Sequence, residues 1–310
     1  MTLDSLNYQK IKRNYLKFLK SQEIMSEPFR DKLGQLNRFY LPIGKMINDE
    51  YLKNKKTKII GLTGGQGSGK STISNILKII LKDGFSLDTV IFSIDDFYKT
   101  FKERKLMSKK ISPLFLTRGV PGTHDTRMLH SCIKNLKKSK FNKIMIPKFD
   151  KSIDDRSSKS KWIKVNKKPH VVIFEGWCVG AKSENSITLK RTINSMEKLK
   201  DQRQIWRKYV NQQLKTKYKN LYSQLNCLIY LKAKNFSLLQ KWRLKQERKL
   251  WLKSKKNSKL KIMNRGDVIN FMQTYQRITQ NMFKNMPKHA SIIFNLNNNH
   301  QIKSAIYKNK

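Results

Sequence analysis

One segment governs the interpretation of this chain: Lys58-Ile59-Ile60-Gly61-Leu62-Thr63-Gly64-Gly65-Gln66-Gly67-Ser68-Gly69-Lys70-Ser71-Thr72. It begins as an apolar run typical of a strand, turns through closely spaced glycines and continues into apolar positions at helical spacing. Gly64-x4-Gly69-Lys70-Ser71 fits the phosphate-binding P-loop pattern, and the strand before it and helix after it are the context that this motif requires. A glycine-rich turn with a chance lysine is the alternative, but it explains neither the Lys-Ser-Thr ending nor the flanking patterns.

Each residue type in this loop has a role in holding phosphate. Glycines allow successive backbone N–H groups to turn toward phosphate oxygens, and the following helix presents its positive end to the same anion. Lys70 can reach the β- and γ-phosphates, and the hydroxyl of Ser71 can bind Mg²⁺. The predicted ATP-binding residues are Gly64, Gly65, Gln66, Gly67, Ser68, Gly69, Lys70, Ser71 and Thr72.

The charge balance is strongly basic, with 67 lysines and arginines against 21 aspartates and glutamates, a formal net charge of +46. Such an excess suggests a nucleic-acid or anionic-membrane partner. However, lysine far outnumbers arginine, the residue suited to bidentate phosphate contacts. The lysines are also spread along the whole chain together with abundant asparagine and isoleucine, as an AT-rich coding background would produce. We therefore do not expect nucleic acid as the partner, although anionic substrates will be attracted electrostatically.

The three cysteines, Cys132, Cys178 and Cys227, have no close-spaced pair. This spacing excludes a zinc ribbon and argues against a disulfide framework, which favours a reducing compartment. The first residues lack the apolar core of a signal peptide, and no apolar run approaches the ~20 residues of a spanning helix. We expect a soluble, cytoplasmic protein with no membrane partner.

Two regions of the chain differ in pattern. Residues 1–50 have apolar positions at helical spacing, such as Ile11, Tyr15 and Phe18, and are predicted to form an N-terminal helical extension. Residues 55–310 alternate between strand and helix patterns, which favours an α/β domain with a doubly wound, mostly parallel sheet. The predicted strands are the run before the P-loop and residues 89–94, 171–174, 227–231 and 291–296. Residues 291–296 are predicted to be the last strand of the chain.

Acidic residues follow two of these predicted strands. Asp95 and Asp96 come after residues 89–94, and Glu175 follows the apolar run 171–174. Because ligands gather at the carboxyl ends of parallel strands, these acids and the P-loop should converge on one crevice. Asp95 can then accept the proton of an acceptor hydroxyl, and Glu175 can hold Mg²⁺ with Ser71, as phosphoryl transfer requires. Helix capping is the alternative use of such carboxylates.

Two further segments carry charged or polar groups suited to this chemistry. Between the acids lies Thr117-Arg118-Gly119-Val120-Pro121-Gly122-Thr123-His124-Asp125, where Arg118 and His124 are potential cations for an anionic acceptor and Asp125 is placed to cap a helix through Leu136. An ordinary surface loop would also explain its Pro-Gly pair. A helical lid is predicted at about residues 235–262, with Arg243 or Arg248 stabilising the transferring phosphoryl group; a solvated helix face is the alternative. Residues 249–261 are predicted to be mobile.

Five segments of the chain form a distinctive series: Gly61 to Thr72, Ser93-Ile94-Asp95-Asp96-Phe97-Tyr98, Arg118-Gly119-Val120-Pro121-Gly122-Thr123-His124-Asp125, Pro147-Lys148-Phe149-Asp150-Lys151-Ser152 and Glu175-Gly176-Trp177-Cys178-Val179-Gly180. In this order they resemble the D-glycerate 3-kinase family of plants and cyanobacteria and related fungal P-loop kinases, which are akin to uridine kinase, phosphoribulokinase and pantothenate kinase. The resemblance covers about residues 55–285.

The resemblance implies a P-loop kinase fold and phosphorylation of D-glycerate on its 3-hydroxyl by MgATP. It assigns the base to Asp95, and Trp242-Arg243-Leu244-Lys245-Gln246-Glu247 is similar to the lid pattern of the family. The predicted catalytic residues are Asp95, Lys70, Arg243 and Arg248, and the predicted acceptor-site residues are Asp96, Tyr98, Arg118, His124 and Asp125. The chain departs from some fungal members at Asp154-Asp155-Arg156, which lacks glycines before the Asp-Arg pair.

Three alternatives to a glycerate kinase stay open at this point. A P-loop kinase could phosphorylate a nucleoside, pantothenate or a sugar phosphate, which would need a larger acceptor pocket. An ATP-switched nucleic-acid-binding protein would explain the charge, but aromatic residues are not interleaved with basic ones as stacking requires. A regulatory ATPase would hydrolyse ATP without regard to glycerate. We expect a monomer acting on a small molecule, with ATP and Mg²⁺ as cofactors.

Overall fold

A computed structural model describes residues 4–23, 28–254 and 263–308 of the chain. Residues 255–262, which contain the end of the predicted lid and much of the segment predicted to be mobile, lie outside these ranges. The strands are β1 (Lys58–Gly64), β2 (Thr89–Ser93), β3 (Ile144–Ile146), β4 (Phe149–Asp150), β5 (Asp155–Arg156), β6 (Ile163–Val165), β7 (Val171–Gly176), β8 (Cys227–Lys232), β9 (Ile292–Leu296) and β10 (Ile302–Tyr307).

Most helices lie between consecutive strands of the main sheet, as the strand–helix alternation predicts. They are α1 (Ser5–Gln22), α2 (Lys32–Gln35), α3 (Leu41–Leu52), α4 (Lys70–Phe85), α5 (Phe101–Lys110), α6 (Thr126–Lys137), α7 (Ser186–Lys190), α8 (Ser195–Lys200), α9 (Ile205–Gln213), α10 (Lys219–Tyr222), α11 (Phe236–Ser254) and α12 (Arg265–His289). Single π-helical turns, Leu36–Tyr40 and Leu214–Tyr218, join α2 to α3 and α9 to α10 without a break.

The main sheet has the strand order β10-β9-β8-β1-β7-β2. Every neighbouring pair is parallel except β9 and β10, so the fold is the predicted α/β arrangement with a mostly parallel sheet. Leu62 of β1 is opposite Glu175 of β7, which in turn is opposite Ser93 of β2. The ends of β1, β7 and β2 therefore lie side by side, which brings the P-loop, Glu175 and the turn after Ser93 to one edge of the sheet.

Two apolar layers cover the faces of this sheet because successive strand residues point to opposite sides. Val172 and Phe174 belong to the layer formed with α6, α9 and α12, whereas Val171 and Ile173 belong to the layer formed with α4. The N-terminal helices join the second layer through residues buried to within 2% exposure, Ile11, Tyr15, Leu19, Ile43 and Ile47. This packing places α1 and α3 against α4, directly behind the P-loop.

The sequence prediction ended the sheet too early. The run at 291–296 is β9, but β10 follows it and pairs antiparallel at the edge. Only Ile302 of β10 is fully buried, and an exposed edge strand lacks the continuous apolar run of a central strand. The two small two-stranded sheets, β3–β6 and β4–β5, were also not predicted because their strands are two or three residues long.

Candidate active site

The P-loop wraps the N-terminus of α4 and is packed closely by the lid helix. Gly67 and Gly69 have φ angles of 75° and 86°, in the left-handed region that favours glycine. A Cβ at Gly67 would lie 3.0 Å from Cβ of Trp242 on α11. The Lys70 ammonium donates to the carbonyl oxygens of Gly64 and Gly65 at 3.0 Å each. Burial lowers the pKa of Lys70, and the nearby carboxylates of Glu175 and Asp95 oppose this change. The loop thus presents the partly buried ammonium of Lys70 and the positive end of α4 to one place.

Ser71 and Glu175 meet at the joint of the P-loop and β7. The hydroxyl of Ser71 donates to Oε1 of Glu175 at 3.1 Å. Burial raises the pKa of Glu175, partly opposed by Lys70. An adjacent hydroxyl and carboxylate are the hard oxygen ligands that Mg²⁺ takes, and Mg²⁺ characteristically uses one or two carboxylates together with phosphates rather than a full protein cage. The donor set therefore fits the predicted metal, and a divalent cation there would favour the ionised form of Glu175.

Asp95 lies in the 3₁₀ turn that follows β2, between two hydrogen-bond donors. The hydroxyl of Tyr98 donates to its Oδ1 at 2.8 Å, and the ammonium of Lys151 donates to its Oδ2 at 3.0 Å. Burial by itself would raise the pKa of Asp95. The positive Lys151, His124 when protonated, and the two hydrogen bonds outweigh that effect and lower the pKa to about 2. Asp95 is therefore an ionised carboxylate at neutral pH.

The neighbouring acid, Asp96, has a structural position instead. Its carboxylate accepts from the backbone N–H of Ser93 at 3.0 Å and completes a capping box on the turn that holds Asp95. Lys148 pairs with its Oδ1 at 3.0 Å. With only 4% of its surface exposed, Asp96 is committed to protein contacts. The structure therefore uses Asp96 to orient the Asp95 turn, which the sequence did not distinguish from acceptor binding.

A buried aromatic network supports Asp95 from the side of the Arg118–Asp125 loop. Tyr98 stacks on His124 with ring centroids 4.5 Å apart, and Nδ1 of His124 lies 2.6 Å from the hydroxyl of Tyr218. The Tyr218 hydroxyl accepts a hydrogen bond from the N–H of Gly122. This favours an arrangement in which the Tyr218 hydroxyl donates its proton to Nδ1 of His124 and the imidazole carries its own proton on Nε2. Nε2 is buried and has no hydrogen-bond partner among the described residues. His124 thus offers one free donor inside the site.

The structure corrects the predicted charge of His124. Burial lowers its pKa to about 4, which Asp95 opposes and Lys99 reinforces. His124 is therefore neutral at pH 7 and is not the cation that the sequence suggested. It can hydrogen-bond to an acceptor, but it does not neutralise one.

We expect His124 to cause part of any acid destabilisation of the fold. The unfolded chain takes up the proton near pH 6.5 and the folded chain only near pH 4, so stability falls as pH falls between these values. The shift corresponds to about 3 kcal/mol. His124→Phe retains a ring against Tyr98 and should flatten the decline of unfolding free energy in denaturant titrations from pH 7 to 4. An unchanged slope in that variant would contradict the buried neutral imidazole.

The other predicted acceptor-site residues form ion pairs around this network. Arg118 pairs with Asp154 and lies over the ring of Phe149, 5.3 Å from its centroid. Asp125 caps α6, as predicted, by accepting from the N–H of Met128 at 3.0 Å, and it also pairs with Arg156 at 3.0 Å. About one-quarter of the Arg118 side chain is exposed, and this residue borders the site. Asp125 mainly fixes the start of α6 and, through Arg156, the position of β5.

The two predicted lid arginines differ in their surroundings. Arg243 is largely buried, pairs with Glu247 and lies over Phe271, 5.3 Å from the ring centroid. Burial, the largest effect, and Asp95 raise the pKa of Tyr275 above its usual value. Arg118 and Arg243 oppose this rise because both are positively charged and lie near the Tyr275 hydroxyl. Arg243 therefore lies within electrostatic range of the same buried hydroxyl as Asp95. Arg248 is exposed on α11.

Residues that were not predicted complete the site. Lys148 and Lys151, next to strand β4, pair with Asp96 and Asp95, respectively. Tyr218, from the turn between α9 and α10, contacts His124, and Tyr275 of α12 lies within electrostatic range of Asp95. The charged segment from Pro147 to Ser152, one of the five segments that carry the family resemblance, was a signal for the lysines. The tyrosines occupy ordinary core positions of helices, and no local pattern separates them from other buried aromatics.

Three features together define a P-loop kinase: a P-loop with its partly buried lysine, an adjacent hydroxyl–carboxylate pair, and an ionised aspartate at the end of another strand. Comparison with known proteins agrees. Residues 59–224 match the phosphoribulokinase/uridine kinase family. This chain belongs to that family.

Individual relatives include kinases with and without an assigned substrate. The uncharacterized kinase mug58 of Schizosaccharomyces pombe is 33% identical over 225 residues, which are 70% of this chain and 78% of that protein. The chloroplastic D-glycerate 3-kinase of Arabidopsis thaliana is 27% identical over 231 residues, 69% of this chain and 48% of that protein. The solved D-glycerate 3-kinase of Cryptococcus neoformans shares the fold, with a TM-score of 0.73 at 22% identity over 86% of this chain and 97% of that one.

Helix length and hydropathy bear on the membrane prediction. Within residues 4–23, 28–254 and 263–308, none of the helices combines the length and apolar character needed to cross a bilayer.

Proposed function

We propose that this kinase transfers the γ-phosphoryl group of ATP to the 3-hydroxyl of D-glycerate. The observation that carries the proposal is the ion pair of Asp95 with Lys151, 3.0 Å apart beside the P-loop. It combines a carboxylate that can take a hydroxyl proton with a cation that can bind a neighbouring acidic group of the same acceptor. The similarity to a plant D-glycerate 3-kinase supports a small hydroxy acid as that acceptor.

ATP and Mg²⁺ have fitting partners in this site. The backbone N–H groups of the P-loop and the Lys70 ammonium hold the phosphates, replacing the carbonyl contacts that Lys70 makes in the structure. Ser71 and Glu175 would hold Mg²⁺, which neutralises charge that develops on the phosphate oxygens.

Phosphoryl transfer forms one bond to phosphorus, breaks another and moves one proton. The acceptor oxygen attacks the γ-phosphorus in line, the bond from the γ-phosphorus to the bridging oxygen breaks, and ADP leaves with that electron pair. Asp95 takes the hydroxyl proton. With a pKa of about 2 it is a weak base while Lys151 is bound to it. Because the transition state is loose, orienting the hydroxyl matters more than early deprotonation.

Lys151 couples acceptor binding to the strength of this base. Its side chain is 63% exposed, so its ammonium can turn from Asp95 to a carboxylate arriving from solvent. Loss of the lysine contact raises the pKa of Asp95 toward a more useful value. Arg118, bordering the same site, is a second group for the carboxylate. An acceptor without a negative group would leave Lys151 on Asp95 and be a poor substrate.

An acceptor panel measured by ADP release tests both the substrate and Lys151. We expect wild-type protein to phosphorylate D-glycerate well, and glycerol, uridine, pantothenate and ribulose 5-phosphate at least ~100-fold less efficiently. In Lys151→Met, kcat/KM for D-glycerate should fall at least ~10-fold because the acid loses its cation, whereas that for glycerol should rise by about a few-fold because Asp95 becomes a stronger base. Preference for one of the other acceptors would replace the proposed substrate. Hydrolysis of ATP at the same rate with and without acceptor would indicate a regulatory ATPase.

A further inference from the structure

A cavity of about 650 Å³ lies beside the P-loop, within the size range of small-ligand sites. Its inner wall is the segment from Gly67 to Thr72 with Ile73 and Ile76 of α4. Its outer wall comes from the N-terminal region, through residues on α1, on the segment from Pro28 to Arg30 and around the first π turn. The N-terminal helices therefore do more than cover the sheet.

The cavity adjoins the phosphate site but does not include the residues at its acceptor end. Asp95 and Glu175 mark the end of the site where the phosphoryl group is transferred, and neither lines the cavity. Lys70, Ser71 and Thr72 line it at the start of α4. A triphosphate whose last phosphate faces Asp95 must place its nucleoside on the opposite side of these residues, which is inside the cavity.

The lining suits a flat base with a polar sugar. The N-terminal region contributes Tyr15, Leu19 and Phe29. Trp242 of the lid helix and His300 also line the cavity, and their rings stack with centroids 4.2 Å apart. Aromatic and aliphatic side chains bind a nucleobase through its faces, and the backbone and amide groups of Gln301 and Gln246 border the same space.

Hydrogen bonds hold the outer wall in place. Gln35 exchanges two hydrogen bonds of 2.9 Å with the backbone of Ile302, and the amide of Gln301 donates to the carbonyl of Arg30 at 2.7 Å. The backbone N–H of Phe29 donates to Glu23 at 2.7 Å. A wall fixed before the ligand arrives costs little ordering entropy on binding.

From this geometry we infer that the N-terminal helical region forms the outer wall of the pocket for the nucleoside of ATP, with Phe29 and Arg30 as nucleoside-binding residues. The inference rests on the proposed use of ATP and adds a determinant of nucleotide affinity outside the P-loop and the lid.

Binding of ADP and of inorganic pyrophosphate, measured by calorimetry at high ionic strength, separates the nucleoside pocket from the phosphate loop. Phe29→Ala should raise the Kd for ADP about tenfold and leave the Kd for pyrophosphate within about twofold. Phe18→Ala is the matched control, because Phe18 is also a partly buried phenylalanine of the N-terminal region but does not line the cavity. It should change neither Kd. Arg30→Ala, an exposed position, should weaken ADP alone by a few-fold without risk to folding.

Four results would overturn the inference: an unchanged ADP affinity in both Phe29→Ala and Arg30→Ala, equal weakening of ADP and pyrophosphate in Phe29→Ala, the same loss of ADP binding in Phe18→Ala, or wild-type protein that binds ADP no tighter than pyrophosphate. The last result would also remove the proposed use of ATP. Wild-type protein that binds ADP through this wall but does not phosphorylate D-glycerate would leave the nucleoside pocket standing and overturn only the proposed acceptor.

Discussion

Asp95→Asn is expected to lower turnover by ~100-fold or more while leaving ADP affinity nearly unchanged. The amide keeps the size of the side chain and can still accept from Tyr98, but it cannot take the hydroxyl proton and no longer attracts Lys151. Nucleotide affinity should persist because the P-loop and Lys70 are separate from this turn. Steady-state kinetics with D-glycerate, together with calorimetry of ADP binding, measures both quantities.

Asp96→Asn is the matched control, since the two acids share one 3₁₀ turn. Its carboxylate caps that turn and pairs with Lys148, so the substitution should cost about 1 kcal/mol of stability and affect turnover only a few-fold. Full turnover in Asp95→Asn would show that Asp95 is not the base. Equal losses in the two variants would show that the turn matters only as a scaffold.

Arg243→Gln is expected to lower turnover by ~1,000-fold if the lid arginine stabilises the transferring phosphoryl group. Arg243 is the candidate because it shares the surroundings of Tyr275 with Asp95, whereas Arg248 is exposed. In the structure its guanidinium is held by Glu247, and it must leave that carboxylate to reach a phosphate. Arg248→Gln should change turnover by no more than about twofold.

Glu247→Gln separates a catalytic from a structural role of Arg243. Glu247 also accepts from the backbone N–H of Met263 at 3.1 Å, so its pairing with Arg243 could serve only to fix α11 near α12. In that case Glu247→Gln would lose as much turnover as Arg243→Gln. If Arg243 acts on the phosphoryl group, Glu247→Gln should lower the melting temperature but retain most of the turnover, because the arginine is then easier to release.

Much of the fold was predictable because its signals are local. The apolar runs of the parallel strands and the helical spacing around them can be recognised within short stretches of sequence. The cap of α6 is equally local, because Asp125 accepts from the N–H of Met128, three residues later. The edge strand β10 and the strands of the two small sheets, β3–β6 and β4–β5, were not predictable from local signals. These segments are short or exposed, and tertiary contacts rather than local pattern make them strands.

The candidate site likewise has a part that the sequence predicted and a part that it did not. The convergence of Lys70, Glu175 and Asp95 follows from the rule that parallel strands end at one edge of the sheet, and the structure places all three there. The distinct surroundings of Asp95 and Asp96, and the neutral state of His124, depend on burial and on partners tens of residues away. Such environments are set by tertiary packing, which the residue types alone do not encode.

The paired hydrogen bonds between Gln35 and Ile302 join positions 267 residues apart. During synthesis, Gln35 therefore leaves the ribosome well before the backbone of Ile302 that anchors it. Contacts of such long sequence separation slow folding, because the chain must close a large loop before they form. The N-terminal helices can pack on α4 early, but Gln35 has no partner for its amide until Ile302 has been made, so this anchor is among the late contacts of folding.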